Sequence, residues 1–208
     1  MGATGNVGRR VVAEAVYRGH EVTAVVRDPA RYEELPEGVY PQTGDASNAD
    51  DMARLSEGQD VVISAIRPPL GRESEVVSTT QALLDGLAQT GVRLLIVGGA
   101  ACLTVPNSGG TAVIDDPRFV PEKWREIAQA SLTQYQTVRA ESRVDWAYLC
   151  PPPMLEPGER TGKFRLGGDE LILDADGNST ISIEDLSVVL LDEAERPQHH
   201  QTMFTAAY

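Results

Sequence analysis

The chain has 208 residues and carries 31 acidic against 18 basic side chains, a formal charge of −13. This length allows one large domain, a core over 1–150 with a small C-terminal segment over 151–208, and leaves no room for a second cofactor domain. The charge disfavours nucleic acid and anionic membrane surfaces as partners, because both reward a basic patch, and leaves a small-molecule substrate on a monomer or homodimer as the expectation.

In chain order, the first feature is Gly2-Ala3-Thr4-Gly5-Asn6-Val7-Gly8, a glycine-rich turn running into an apolar helical face of Val7, Val11, Val12 and Ala15. Such a turn suits a dinucleotide pyrophosphate. Gly2 allows the tight turn, Gly5 lets backbone approach phosphate oxygens, Gly8 lets the helix pack closely, and the helix N-terminus offers N–H donors. Glycine clusters also serve as ordinary turns, so the context decides. The helix read over 7–18 leads to the β-branched run Val22-Thr23-Ala24-Val25-Val26, a helix–strand pair. Only Met1 precedes the turn, whereas a dinucleotide fold hangs it on a central first strand. The expectation is a natural start farther upstream or a cut chain, with a rebuilt sheet edge as the alternative.

The second strand ends at Arg27, followed by Asp28-Pro29. Asp28 reads as a helix cap with Pro29 in the first helical position. Arg27 is then free for the 2′-phosphate of NADPH, or is a plain surface cation. After a strand over 39–43, Asp45 and Ala46 are placed to reach an adenine ring, with a helix cap as the competing role for Asp45. Strands at 60–66, 93–98 and 144–150 alternate with helices at 48–57, 74–91 and 122–142. This is the pattern of an α/β, Rossmann-type doubly wound parallel sheet with helices on both faces. The strand exits place Ala65, Ile66 and Gly98 beside a ligand, and segments 66–70, 99–106 and 151–156 around a substrate.

Two candidates for proton chemistry follow. Cys102 lines that pocket or packs as a small hydrophobe. Tyr135, four residues before Arg139, imitates a Tyr-x-x-x-Lys acid pair, but shares a helical face with Trp124, Ile127, Leu132 and Val138 and so also reads as core. The two cysteines, Cys102 and Cys150, form neither a disulfide framework nor a zinc site, and the three histidines show no metal spacing. A reducing cytoplasm is expected. Glu14 and Arg18 interrupt any export signal after Arg9-Arg10, and the run 94–105 falls short of the roughly 18 apolar residues of a membrane span. Beyond 151 the reading is a strand at Glu170–Leu173, a helix at 184–195 and a strand at 202–206. Ser182 and Asp185 have capping-box spacing.

Together, Gly-Ala-Thr-Gly-Asn-Val-Gly at 2–8, Val-Arg-Asp-Pro at 26–29, Gly-Asp at 44–45 and Val-Gly-Gly-Ala at 97–100 resemble the atypical short-chain dehydrogenases, including NmrA-like proteins and biliverdin reductase B-like flavin reductases. Residues 157–168 and 181–185 look like the bacterial NAD(P)H-flavin reductase group. The resemblance implies NADPH on Gly2, Thr4, Gly5, Asn6, Val7, Gly8 and Arg27, and hydride transfer to a flavin, quinone or similar flat acceptor. Such an acceptor takes its proton from water, so orientation supplies most of the catalysis. The chain departs from the group in its first strand, in Ala101-Cys102 where Gly-Ser is usual, and in Trp124-Arg125 where Tyr-Lys is usual. Those departures keep two other readings open: an NmrA-like redox sensor that binds cofactor without turnover, and a non-redox isomerase or cyclase on the same scaffold.

Overall fold

The structure, a computed structural model, describes residues 1–68 and 71–208. Helix α1 (Gly8–Tyr17) begins where the glycine turn ends and buries Val11, Val12 and Ala15. Strands β1 (Val22–Val26) and β2 (Val39–Thr43) pair in parallel, Val22 opposite Val39 and Val26 opposite Thr43. Between them Asp28 caps a single 3-10 helix, Pro29–Glu34, by accepting from the Ala30 N–H at 2.9 Å. Asn48 caps α2 (Ala49–Ser56). Then come β3 (Val61–Ser64), α3 (Glu75–Thr90), β4 (Arg93–Val97), α4 (Arg125–Arg139) and β5 (Trp146–Cys150).

The C-terminal segment adds β6 (Met154–Glu156), β7 (Arg165–Gly167), β8 (Thr180–Ser182), α5 (Ile183–Glu195) and β9 (Thr202–Ala207). The main sheet runs β3-β4-β5-β9-β7, parallel except for β7 against β9. All five residues of β5 are buried, as expected of a strand covered on both faces. Its side chains alternate accordingly. Trp146, Tyr148 and Cys150 pack with Met52, Leu83, Leu87 and Val138 of α2, α3 and α4. Ala147 and Leu149 pack with Val11, Leu186 and Leu190 of α1 and α5. The α/β architecture expected from the sequence is therefore present, with a mainly parallel sheet between two helical layers. No helix among the described residues is long and apolar enough to cross a membrane.

The sheet edge is not rebuilt. Strands β1 and β2 form a separate two-stranded sheet, and a cavity of about 570 Å³ lies between β1 and β3, lined by Val22–Val25, Val61–Ile63 and the underside of α1. Met1 enters its edge in β-ladder fashion: its ammonium donates to the Ile63 carbonyl at 2.7 Å, and its carbonyl accepts from the Ala65 N–H at 3.2 Å.

Three other expectations are corrected. The strand read at 170–173 is a single bridge from Glu170 to Thr104; its partner is a loop residue rather than a sheet edge, so the pairing cannot propagate. The helix read over 122–142 opens with a 3-10 turn at Glu122–Trp124 and ends at Arg139. Its buried residues are Gln134 and Val138, while Trp124 stands 45% exposed. Ser182 accepts from the Asp185 N–H at 2.9 Å, but Asp185 does not return the bond: the Ser182 N–H goes to the Tyr208 hydroxyl.

Candidate functional site

The glycine turn is built by contacts that exclude side chains. Gly2 has φ +74°, and a Cβ there would lie 2.7 Å from the Ala65 carbonyl oxygen. A Cβ on Gly8 would lie 2.0 Å from the Gly2 carbonyl oxygen, so the helix starts directly on the turn that precedes it. The Gly5 N–H closes the turn onto the Gly2 carbonyl at 3.0 Å. Gly5 and Asn6 face solvent, Thr4 and Val7 are half-buried.

Among the described residues, no backbone carbonyl accepts from the N–H groups of Asn6, Val7 or Gly8. No side chain caps α1, and no acidic residue lies in its first turn. The helix end is thus an array of donors at the positive end of a macrodipole with no negative charge of its own, which is the chemistry of an anion site.

The other strand exits gather beside it. The Gly44 N–H donates to the Val26 carbonyl at 3.1 Å, which sets Gly44-Asp45 beside Val26-Arg27. Arg27 is exposed and forms no ion pair among the described residues. Asp45 is committed to its own loop: Oδ1 accepts from the Ser47 N–H at 3.0 Å and hydroxyl at 2.7 Å. Those bonds, with a smaller contribution from the Arg27 charge, hold its carboxyl below the ordinary value. The cap of α2 is Asn48, not Asp45. Ala46, Ala65, Ile66 and Gly98 are half-buried around the same edge. In the segment 66–70 expected to wall a substrate, Pro69 and Leu70 lie outside the described residues.

A ring lies across Gly98: a Cβ there would fall 2.0 Å from the Tyr148 ring. The Tyr148 hydroxyl is within bonding distance of the Ser131 carbonyl (3.0 Å) and Gln134 Oε1 (3.1 Å). Tyr135 packs against Tyr148 with ring centroids 5.2 Å apart. Burial raises the Tyr135 pKa, against a smaller opposing effect of Arg139, which makes the phenol a weaker acid than in water. Cys102 sits in a 3-10 turn (Ala100–Cys102), with Sγ 3.5 Å from the Gly99 carbonyl and 3.0 Å from Cys150 Sγ. The sequence motifs give Tyr148 and Cys150 no functional role. Their signal is position, since both lie toward the end of a strand that finishes at the same edge as residue 98.

The histidines are accounted for separately, His20 with Glu195, His199 with Glu193 and His200 with Asp145. No group of three or more metal-ligating side chains gathers among the described residues.

Comparison with known proteins agrees with this geometry. A family described as NAD(P)H-binding matches residues 2–197. A solved Burkholderia pseudomallei protein, provisionally described as exported, is 38% identical, with 100% of this chain and 97% of that one covered at a TM-score of 0.89. A Bacteroides thetaiotaomicron protein provisionally described as an epimerase is also 38% identical, covering 99% and 94% at 0.90. A Streptococcus pneumoniae protein provisionally described as an NADH-flavin reductase is 29% identical, covering 99% and 95% at 0.85. With a Rossmann-like sheet, a glycine turn on a bare helix end and a family match over nearly its whole length, the chain belongs to the NAD(P)H-binding family.

Proposed function

We propose that the protein is an NADPH-dependent oxidoreductase that delivers hydride to a flavin, quinone or similar flat conjugated acceptor. The observation that carries this reading is the uncapped start of α1, where the Asn6, Val7 and Gly8 N–H groups have no partner among the described residues, beneath a turn that admits only glycine at 2 and 8. These donors fit a pyrophosphate. Bound there, a reduced nicotinamide supplies the hydride.

The remaining roles fall to this chain's own residues. Gly2, Thr4 and Gly5 shape the turn around the phosphates. Arg27 holds the 2′-phosphate, since it is exposed and has no carboxylate partner among the described residues. Ala46 and the Asp45 loop flank the adenine. Ala65, Ile66 and Gly98 wall the nicotinamide. Cys102 Sγ is turned onto Cys150 Sγ at 3.0 Å, and burial makes the Tyr135 phenol less acidic. That favours an acceptor whose proton comes from water, with the site acting by orientation and exclusion.

The test is a fluorescence titration of the protein with NADPH and NADH, then addition of FMN or a quinone while nicotinamide absorbance is followed. Selective NADPH binding with acceptor-dependent oxidation supports the reading. Arg27→Ala is expected to weaken NADPH about tenfold or more, the scale of one charge-assisted hydrogen bond, and to leave NADH unchanged. Equal loss for both cofactors would remove Arg27 from the 2′-phosphate.

A further inference from the structure

Cys102 and Cys150 are the only cysteines of the chain, 48 residues apart in sequence, yet their sulfurs lie 3.0 Å apart. A disulfide has an S–S length of about 2.0 Å, so bonding requires a closure of only about 1 Å. The two sides of the pair are unequal. Cys150 is fully buried in the central strand β5, with Met203 Sδ 3.9 Å behind it. Cys102 is half-buried on a three-residue 3-10 turn at the carboxyl edge, the side that faces the candidate site. Apolar packing alone does not call for two facing sulfurs here.

We propose that Cys102 and Cys150 form a redox-active dithiol, which low-molecular-weight disulfides oxidise to an intramolecular disulfide. Cys102, as thiolate, attacks one sulfur of the incoming disulfide; that S–S bond breaks and the first thiol leaves with a proton. The mixed disulfide on Cys102 is then attacked by Cys150, whose proton passes to the second departing thiol. In sum, the protein loses two protons and two electrons, and the small disulfide is reduced to two thiols. Burial and the neighbouring sulfur push the Cys150 thiol well above its ordinary pKa, so Cys150 acts as the resolving partner and Cys102 as the point of attack. This inference stands apart from the proposed hydride transfer and would survive its failure.

The probe is glutathione disulfide added to the reduced, folded protein, followed by thiol titration in denaturant and mass mapping. The expected result is loss of both titratable thiols, a mass decrease of two hydrogens, a peptide joining 102 to 150, and full reversal by dithiothreitol. Cys150→Ser is expected to stop at a mixed disulfide on Cys102, and Cys102→Ser to leave Cys150 unmodified. Retention of both thiols, arrest of the wild-type protein at the mixed disulfide, or disulfide-linked dimers would each overturn the proposal. The wild-type result decides the matter even if a variant fails to fold.

Discussion

The ammonium of Met1 donates to the carbonyl of Ile63 at 2.7 Å, so the first residue of the chain is bonded as a rung of a parallel ladder beside β3. Beyond that rung lies the cavity of about 570 Å³ between β1 and β3, flanked by strands whose facing edges have no strand partner among the described residues. Extending the chain ahead of Met1 by five apolar β-branched residues is expected to fill this space with a strand parallel to both edges. At about 1 kcal/mol per ladder bond, plus burial of side chains, the gain amounts to several kcal/mol, or roughly 10 °C in melting temperature. Thermal melts against a Gly-Ser extension of equal length test this. Equal melting temperatures would mean that the cavity does not accept a strand.

In a chain that begins at Met1, the same amine gives the fold a pH dependence. Burial holds its pKa at about 6, against 8.0 for the free group. Because the folded-state value is lowered, folding opposes protonation. The cost is fully present below pH 6 and disappears as pH rises through 8. Two pKa units set this at no more than about 3 kcal/mol. Denaturant midpoints measured from pH 5 to 9 should rise across that window. Acetylating the N-terminus should abolish the rise, and a rise that persists after acetylation would have to come from another group.

Gly8→Ala should disable the site locally. Its Cβ would sit 2.0 Å from the Gly2 carbonyl oxygen, and backbone on backbone contact leaves no flexible end to yield. The turn must shift, and the array of N–H groups at Asn6 and Val7 shifts with it. The expected outcome is a loss of NADPH affinity by tenfold or more, together with a destabilisation of about 1 to 3 kcal/mol from overpacking. Titration and urea melts on the same sample separate the two effects. Gly168→Ala is the matched control, since like Gly8 it has no left-handed φ, yet a Cβ there meets nothing within 4 Å.

These features differ in how far the sequence reveals them. Strand positions through β5 are legible because β-branched runs such as Val22–Val26 alternate with helical patterns, and Asp28-Pro29 announces its own cap. The three short strands β6, β7 and β8 are not legible, because three-residue elements carry no periodicity and their pairing is decided by partners far along the chain. The glycine turn is readable as a motif, but the bare helix end that gives it meaning appears only once each N–H can be traced. The Cys102–Cys150 pair is invisible in sequence for the same reason, since the β4 and β5 exits meet only through the parallel register of Val97 with Leu149.

Asp185 offers a last test, on the segment that closes the C-terminal side. Its carboxylate is fully buried and accepts from the Thr161 and Gly162 N–H groups at 2.8 Å each, from the Thr161 hydroxyl at 2.5 Å and from the Tyr208 hydroxyl at 2.8 Å. Desolvation alone would raise its pKa, but the bonds from Thr161, Gly162 and Tyr208 outweigh that and leave it lowered. The stability it contributes is therefore complete above the ordinary carboxylate range and is lost as pH falls through the native value. Asp185→Ala strands several buried donors and should cost about 3 kcal/mol or more. Asp185→Asn keeps one oxygen for the two N–H groups and lets the hydroxyls turn to accept, so a loss of about 1 kcal/mol is expected. It should also flatten the decline in stability below about pH 4. Urea midpoints for the three proteins at pH 3 and pH 7 decide the question. An Asn variant that declines in acid as steeply as the parent would show that Asp185 does not carry this part of the acid sensitivity.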